Sequence, residues 1–115
     1  MKQLWLSVLY LIALILPAFA AELSATQKKE LVVFTGRAMG MKTDVDDVKQ
    51  TMSVGEIERL VATGLNLNRY LCSQIVEIRP LELTSTYEVT CIAYGGGTVK
   101  KAYIVDALKG VAFEP

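Results

Sequence analysis

Cys72 and Cys91, with no histidine anywhere in the chain, set the limits on what chemistry these residues can do. Histidine is the usual neutral-pH base and the commonest metal ligand, so Ser-His-Asp and Cys-His nucleophilic arrangements are excluded. Two thiols alone are too few for a four-ligand thiolate or Cys/His zinc site. They are also not spaced as C-x-x-C, the pattern of a thioredoxin-like redox pair. Asp44, Asp46 and Asp47 suggest a calcium loop. The pattern then fails, because its fifth, sixth and twelfth positions fall on Val48, Lys49 and Gly55, where an oxygen ligand, a glycine and a glutamate are required. A solvated acidic turn near a helix N-terminus accounts for these residues. Glu77, Glu82 and Glu88 could in principle do paired-carboxylate work on a glycosidic bond, but their scatter reads as a solvated face. Gly95-Gly96-Gly97 with Lys100 and Lys101 resembles a phosphate loop only in composition. Strand-like sequence follows, where a phosphate loop needs a helix N-terminus and a Lys-Ser/Thr pair. A flexible hairpin turn fits better. Its functional version is an exposed recognition tip made of Tyr94, Gly95, Gly96, Gly97, Lys100 and Lys101, since loops often carry function. No catalytic residue, metal or cofactor is expected.

The N-terminus speaks to compartment. Lys2 precedes an apolar run from Leu4 to Leu16, Pro17 breaks it, and Ala18-Phe19-Ala20 forms an A-x-A site. This is the pattern of a secretory signal peptide, 1–20, removed in the mature protein. The run is shorter than the roughly 20 residues a spanning helix needs, so contact with a membrane is expected only through an uncleaved signal. Loss of Lys2 leaves 11 basic residues of the 12 against 12 acidic ones, a net of −1. That balance offers no electrostatic case for nucleic acid. Two cysteines in an exported chain read as one disulfide, Cys72–Cys91. The remaining chain is long enough for one domain with a modest core.

The elements that must position these residues follow from periodicity. Residues 22–41 open with Ser24 and Gln27 in a capping box, and Leu31, Phe34, Ala38 and Met41 then recur at helical spacing, with Gly40 as a stop. Residues 42–52 read as a polar linker with a helical turn, so the chain divides into 1–20, 21–52 and 53–115. A second capping box, Ser53 to Glu56, starts a helix whose buried stripe is Ile57, Leu60, Val61 and Leu65, with Gly64 as its C-terminal cap. Leu71 to Pro80, rich in β-branched and apolar residues, and Thr86 to Tyr94, which alternates, read as strands. The five-residue connection Leu81–Ser85 suits a loop built on a type I turn. A register pairing Cys72 with Cys91 also pairs Val76 with Tyr87 and Gln74 with Val89. Alternatively, Cys72 lies just before the strand. Val99–Asp106 is a third strand, and Val111–Phe113 a short fourth one on the edge. The fold class is α+β: two N-terminal helices packed on a three- to four-stranded antiparallel meander.

The stretch from Tyr70 to Asp106 resembles a group of small exported bacterial proteins of alphaproteobacterial type. The residues that carry the resemblance are Tyr70 and Cys72, then Ile78, Pro80 and Leu81, then Tyr87 to Cys91, Tyr94 to Gly97, and Tyr103, Val105 and Asp106; they span about a third of the chain. The group brings no catalytic residues to carry over. The helix-then-meander order is also similar to PepSY-like and β-lactamase-inhibitor-protein-like architectures, which is a likeness of fold and does not fix function. The resemblance implies a periplasmic or secreted location. The expected function is an exported, non-enzymatic binding module that acts through a sheet face or the Gly-rich tip on another envelope or secreted protein. The alternative is a small structural or stress-related envelope protein that contacts peptidoglycan or membrane. A large exposed apolar patch on the sheet would favour a protein partner.

Overall fold

A computed structural model describes residues 23–48 and 52–115. The expected signal peptide, 1–20, lies outside these residues. The first helix, α1, spans Ala25–Ala38. It starts where expected: the Ser24 N–H donates to Gln27 Oε1 at 2.8 Å, and the Gln27 N–H donates to Ser24 Oγ at 3.1 Å. It stops at Gly40, whose φ of 83° lets the Met41 N–H donate back to the Gly36 carbonyl at 2.9 Å. Two free helix carbonyls are satisfied in this way. The buried face is Glu30, Leu31, Val33, Phe34 and Thr35, while Met41, expected on the stripe, lies beyond the helix and is exposed. A single 3-10 turn, Val45–Asp47, follows. It is tied to α1 by an Arg37–Asp44 ion pair of 2.7 Å.

Helix α2, Val54–Leu67, carries the reciprocal Ser53–Glu56 cap. Hydrogen bonds from the Ser53 backbone and hydroxyl pull the Glu56 carboxyl below its usual range. Ile57, Val61 and Leu65 are buried as the spacing required, while Leu60, expected on the same stripe, is half-buried at its edge. Gly64 is not the cap it was expected to be. It lies inside the helix, where an added Cβ would sit 2.5 Å from Cε2 of Phe34, so its role is to let the two helices approach. Thr35 reinforces that contact by donating its hydroxyl to the Leu60 carbonyl at 2.7 Å. The helix ends three residues later than Gly64, by the same geometry as α1 but with Arg69 in the left-handed position, at φ 70°. The Tyr70 N–H reaches the Leu65 carbonyl and the Arg69 N–H reaches Asn66, both at 3.0 Å. A side chain in that conformation is strained relative to glycine. Arg69→Gly is therefore expected to raise stability by about 0.5–1 kcal/mol, measured by chemical denaturation; an unchanged midpoint would show that the cap tolerates arginine without strain.

The sheet is an antiparallel meander in chain order: β1 (Gln74–Pro80), β2 (Thr86–Ile92), β3 (Lys100–Asp106) and β4 (Val111–Phe113). The β2–β3 register is regular and places Tyr87 beside Val105 and Val89 beside Tyr103. These four residues are buried under the helices. The β1–β2 register differs from the pairing of Cys72 with Cys91. Cys91 lies opposite Ile75 and Val89 opposite Ile78, with a bulge at Val76. One extra residue exchanges the faces of a strand, so Ile75 is buried before the bulge, and Ile78 and Pro80 turn inward after it, while Val76 is exposed. Cys72 sits just before the strand, its backbone N–H and C=O both held by the Asn66 side chain at 3.1 Å. From there it forms the disulfide to Cys91, nineteen residues on, across a Cα separation of 5.2 Å. The 81–85 connection also differs from the type I expectation. The Thr86 N–H bonds the Leu83 carbonyl at 3.2 Å and Ser85 has φ 60°, the positive value that a type II turn places at its third residue.

Candidate functional site: the β2–β3 hairpin tip

The sheet presents two different faces. Alternation buries Tyr87, Val89 and Cys91 of β2 with Tyr103 and Val105 of β3. The alternate residues form a face without helices. Across it run Arg79, Glu88, Ile104 and Phe113, each opposite the next in the ladder. Arg79 and Glu88 form an ion pair of 2.9 Å. Beside them Ala102 and Ile92 are half-buried, and Val111 and Phe113 are exposed, at 42% and 48%. The face thus carries an ion pair on its β1–β2 half and, on its β3–β4 half, the apolar Ala102, Ile104, Val111 and Phe113 between Lys100 and Asp106.

The tip closes the β2–β3 hairpin. The Ala93 N–H donates to the Val99 carbonyl, and the Gly97 N–H to the Tyr94 carbonyl, both at 2.9 Å. Gly96 is the residue the turn requires, at φ 75°. A Cβ added at Gly95 or Gly96 would meet nothing within 4 Å, and one at Gly97 would meet only Tyr94. Every residue from Tyr94 to Lys101 is exposed. The tip therefore stands clear of the rest of the described chain, and Tyr94 is the large side chain it offers, 57% exposed.

Of the expected site residues, Tyr94, Gly95, Gly96 and Gly97 form one continuous turn. Lys100 and Lys101 are not on one surface. Lys100 pairs with Ile92 on the open face, whereas Lys101 pairs with Cys91 on the helix-bearing side. There the Lys101 ammonium is 4.0 Å from the Glu114 carboxyl. The base of the tip is aromatic. The buried Tyr103 hydroxyl donates to the Leu71 carbonyl at 2.8 Å, and its ring centroid lies 4.8 Å from that of Tyr70. Burial raises the Tyr103 phenol above its ordinary range, with Glu114 and then the neighbouring Tyr70 and Tyr94 adding to the effect.

A second polar cluster was not anticipated. Glu30 is buried on α1 and accepts hydrogen bonds from the hydroxyls of Ser85 and of Tyr87, the latter at 2.9 Å. Burial first, then the Glu30 hydrogen bond and charge, drive the Tyr87 phenol well above its usual range. The cluster fastens the β1–β2 turn to α1. Its only trace in the sequence is a glutamate within a helical apolar stripe, next to Leu31 and three residues before Val33. An open groove of about 590 Å³ also runs between α2 and the start of β1, with Arg59, Ala62 and Asn66 on one wall and Ser73 and Gln74 on the other. Among the described residues no group of three metal-ligating side chains occurs, and no helix is long and apolar enough to cross a membrane. No family model matches the chain, and no curated protein or solved structure matches it either.

Proposed function

We propose that this protein is an exported, non-enzymatic binding module that acts on another envelope or secreted protein through the helix-free sheet face or the Tyr94–Lys101 tip. The observation that carries this reading is the tip itself: eight consecutive exposed residues, 94–101, mounted on a strand that the disulfide holds at Cys91. Displayed aromatic and apolar side chains on a rigid support reduce the ordering cost of association, and tyrosine is favoured in interface cores. A disulfide fits an oxidising, extracytoplasmic compartment, which is where such a partner would be met. The periplasm of a bacterium is the setting that the resemblance of Tyr70–Asp106 implies. The test is capture of partners by the immobilised mature chain from envelope extract, read by mass spectrometry. One stoichiometric partner is expected; a chain that retains nothing above a blank column would remove the binding-module reading.

A further inference from the structure

We infer that the β2–β3 tip is a cationic plug for a concave, acidic cleft on a protein partner; this rests on the binding-module reading above. The geometry supports it in three ways. First, the turn is open around Gly95 and Gly96, and residues 94–101 are all exposed, so a partner can enclose it. Second, Lys100 and Lys101 leave the hairpin on opposite faces. A flat surface would meet one of the two cations, while a cleft that encloses the hairpin meets both. Third, the charge is local. Residues 94–101 carry two cations and no anion, in a chain with 12 basic and 12 acidic residues in all. Glu114 lies 4.0 Å from Lys101, and among the described residues no carboxyl is in ion-pair range of Lys100, which can pair with an acid on the partner.

The same features weigh against a lipid surface. Tyr94 and Val99 are the only large apolar side chains within the tip, and stable membrane attachment takes more buried apolar area or a longer basic run. They also say what the cleft contains. A tyrosine at the leading turn with cations behind it asks for an apolar floor and an acidic rim, the arrangement in which a buried aromatic anchor gives affinity and rim charges give approach rate and selectivity. Gly96 holds the turn, and Gly97 brings the chain back against Tyr94.

The experiment uses the disulfide-bonded mature chain with a photo-crosslinking phenylalanine analogue at Tyr94, applied to envelope extract, followed by affinity measurement on the captured protein. Crosslinks are expected within a cleft rimmed by Asp and Glu. The double variant Lys100→Glu, Lys101→Glu should bind at least about tenfold more weakly, equivalent to 1.4 kcal/mol. Lys100→Gln, Lys101→Gln should weaken binding less, and both losses should shrink as salt is raised. Phe113→Ser, on the open face, should change affinity less than twofold. A partner retained equally by the double-Glu variant would overturn the plug while leaving the binding module standing, and would move the site to the sheet face. Crosslinks on a flat or basic surface would overturn it too. So would tip-dependent sedimentation with vesicles of seven parts zwitterionic to three parts anionic lipid, which would assign the lysines to phosphate headgroups. No captured protein with any variant would remove the plug and the binding module together.

Discussion

Ile57→Asp is expected to abolish the cooperative melting transition. Ile57 is 1% exposed, on the first turn of α2, within the cluster formed by Leu31, Phe34, Val61 and Leu65. The substitution removes a well-packed aliphatic chain and leaves a carboxylate with no partner in that cluster. The transfer loss alone costs about 2–5 kcal/mol, and an unpaired buried charge adds several more. Small domains hold about 5–15 kcal/mol in all, so little or nothing remains. Circular dichroism through a temperature ramp measures it. Val54→Asp is the control, since Val54 is 50% exposed at the start of the same helix, where a negative charge is favourable. That variant should melt as the parent does. A native-like transition for Ile57→Asp would show that α2 does not present this stripe to the core.

Replacing both cysteines by alanine is expected to lower the melting temperature by roughly 12–24 °C. The disulfide closes a nineteen-residue separation, a size for which the loss of unfolded-chain entropy is about 3 kcal/mol. In a domain of this length each kcal/mol shifts the midpoint by about 4–8 °C. Cys72 and Cys91 are 3% and 0% exposed, so dithiothreitol added to the folded protein reaches them slowly, and the double variant or reduction in denaturant is the cleaner comparison. An unchanged midpoint would show that the disulfide does not restrict the unfolded chain enough to stabilise the fold.

Much of this architecture was legible in the residues, and the exceptions have common causes. Capping boxes are local, so Ser24–Gln27 and Ser53–Glu56 could be read directly. Alternation is local as well: Tyr87, Val89 and Cys91 share the buried face, and the alternation of β3 places Tyr103 and Val105 together there. What could not be read was the meeting of distant segments. The bulge at Val76 has no local marker, and it moved the whole β1–β2 register. Gly64 looked like a helix end because its reason for being glycine is the Phe34 ring, thirty positions away. Arg69 hid the true end because it occupies a conformation that glycine usually takes. Glu30 carries no local sign of its burial, which comes from Ser85 and Tyr87, more than fifty positions away. The tip was visible as a turn and a set of candidate residues. The division of Lys100 and Lys101 between two faces follows from their adjacency in a strand; which face carries the helices came only from the fold.

The position of the disulfide also decides how the molecule carries a load. The β1–β2 hairpin has its turn at 81–85 and its open end at Gln74 and Ile92, and Cys72–Cys91 ties that open end. A pull on the tip enters β2 three residues from Cys91. It then passes through covalent bonds to Cys72 and, through Asn66, into α2. The hydrogen bonds between β1 and β2 are bypassed and cannot be peeled apart one at a time from that end. The hairpin is a closed covalent ring, so separation of β1 from β2 cannot start at that end while the disulfide is intact.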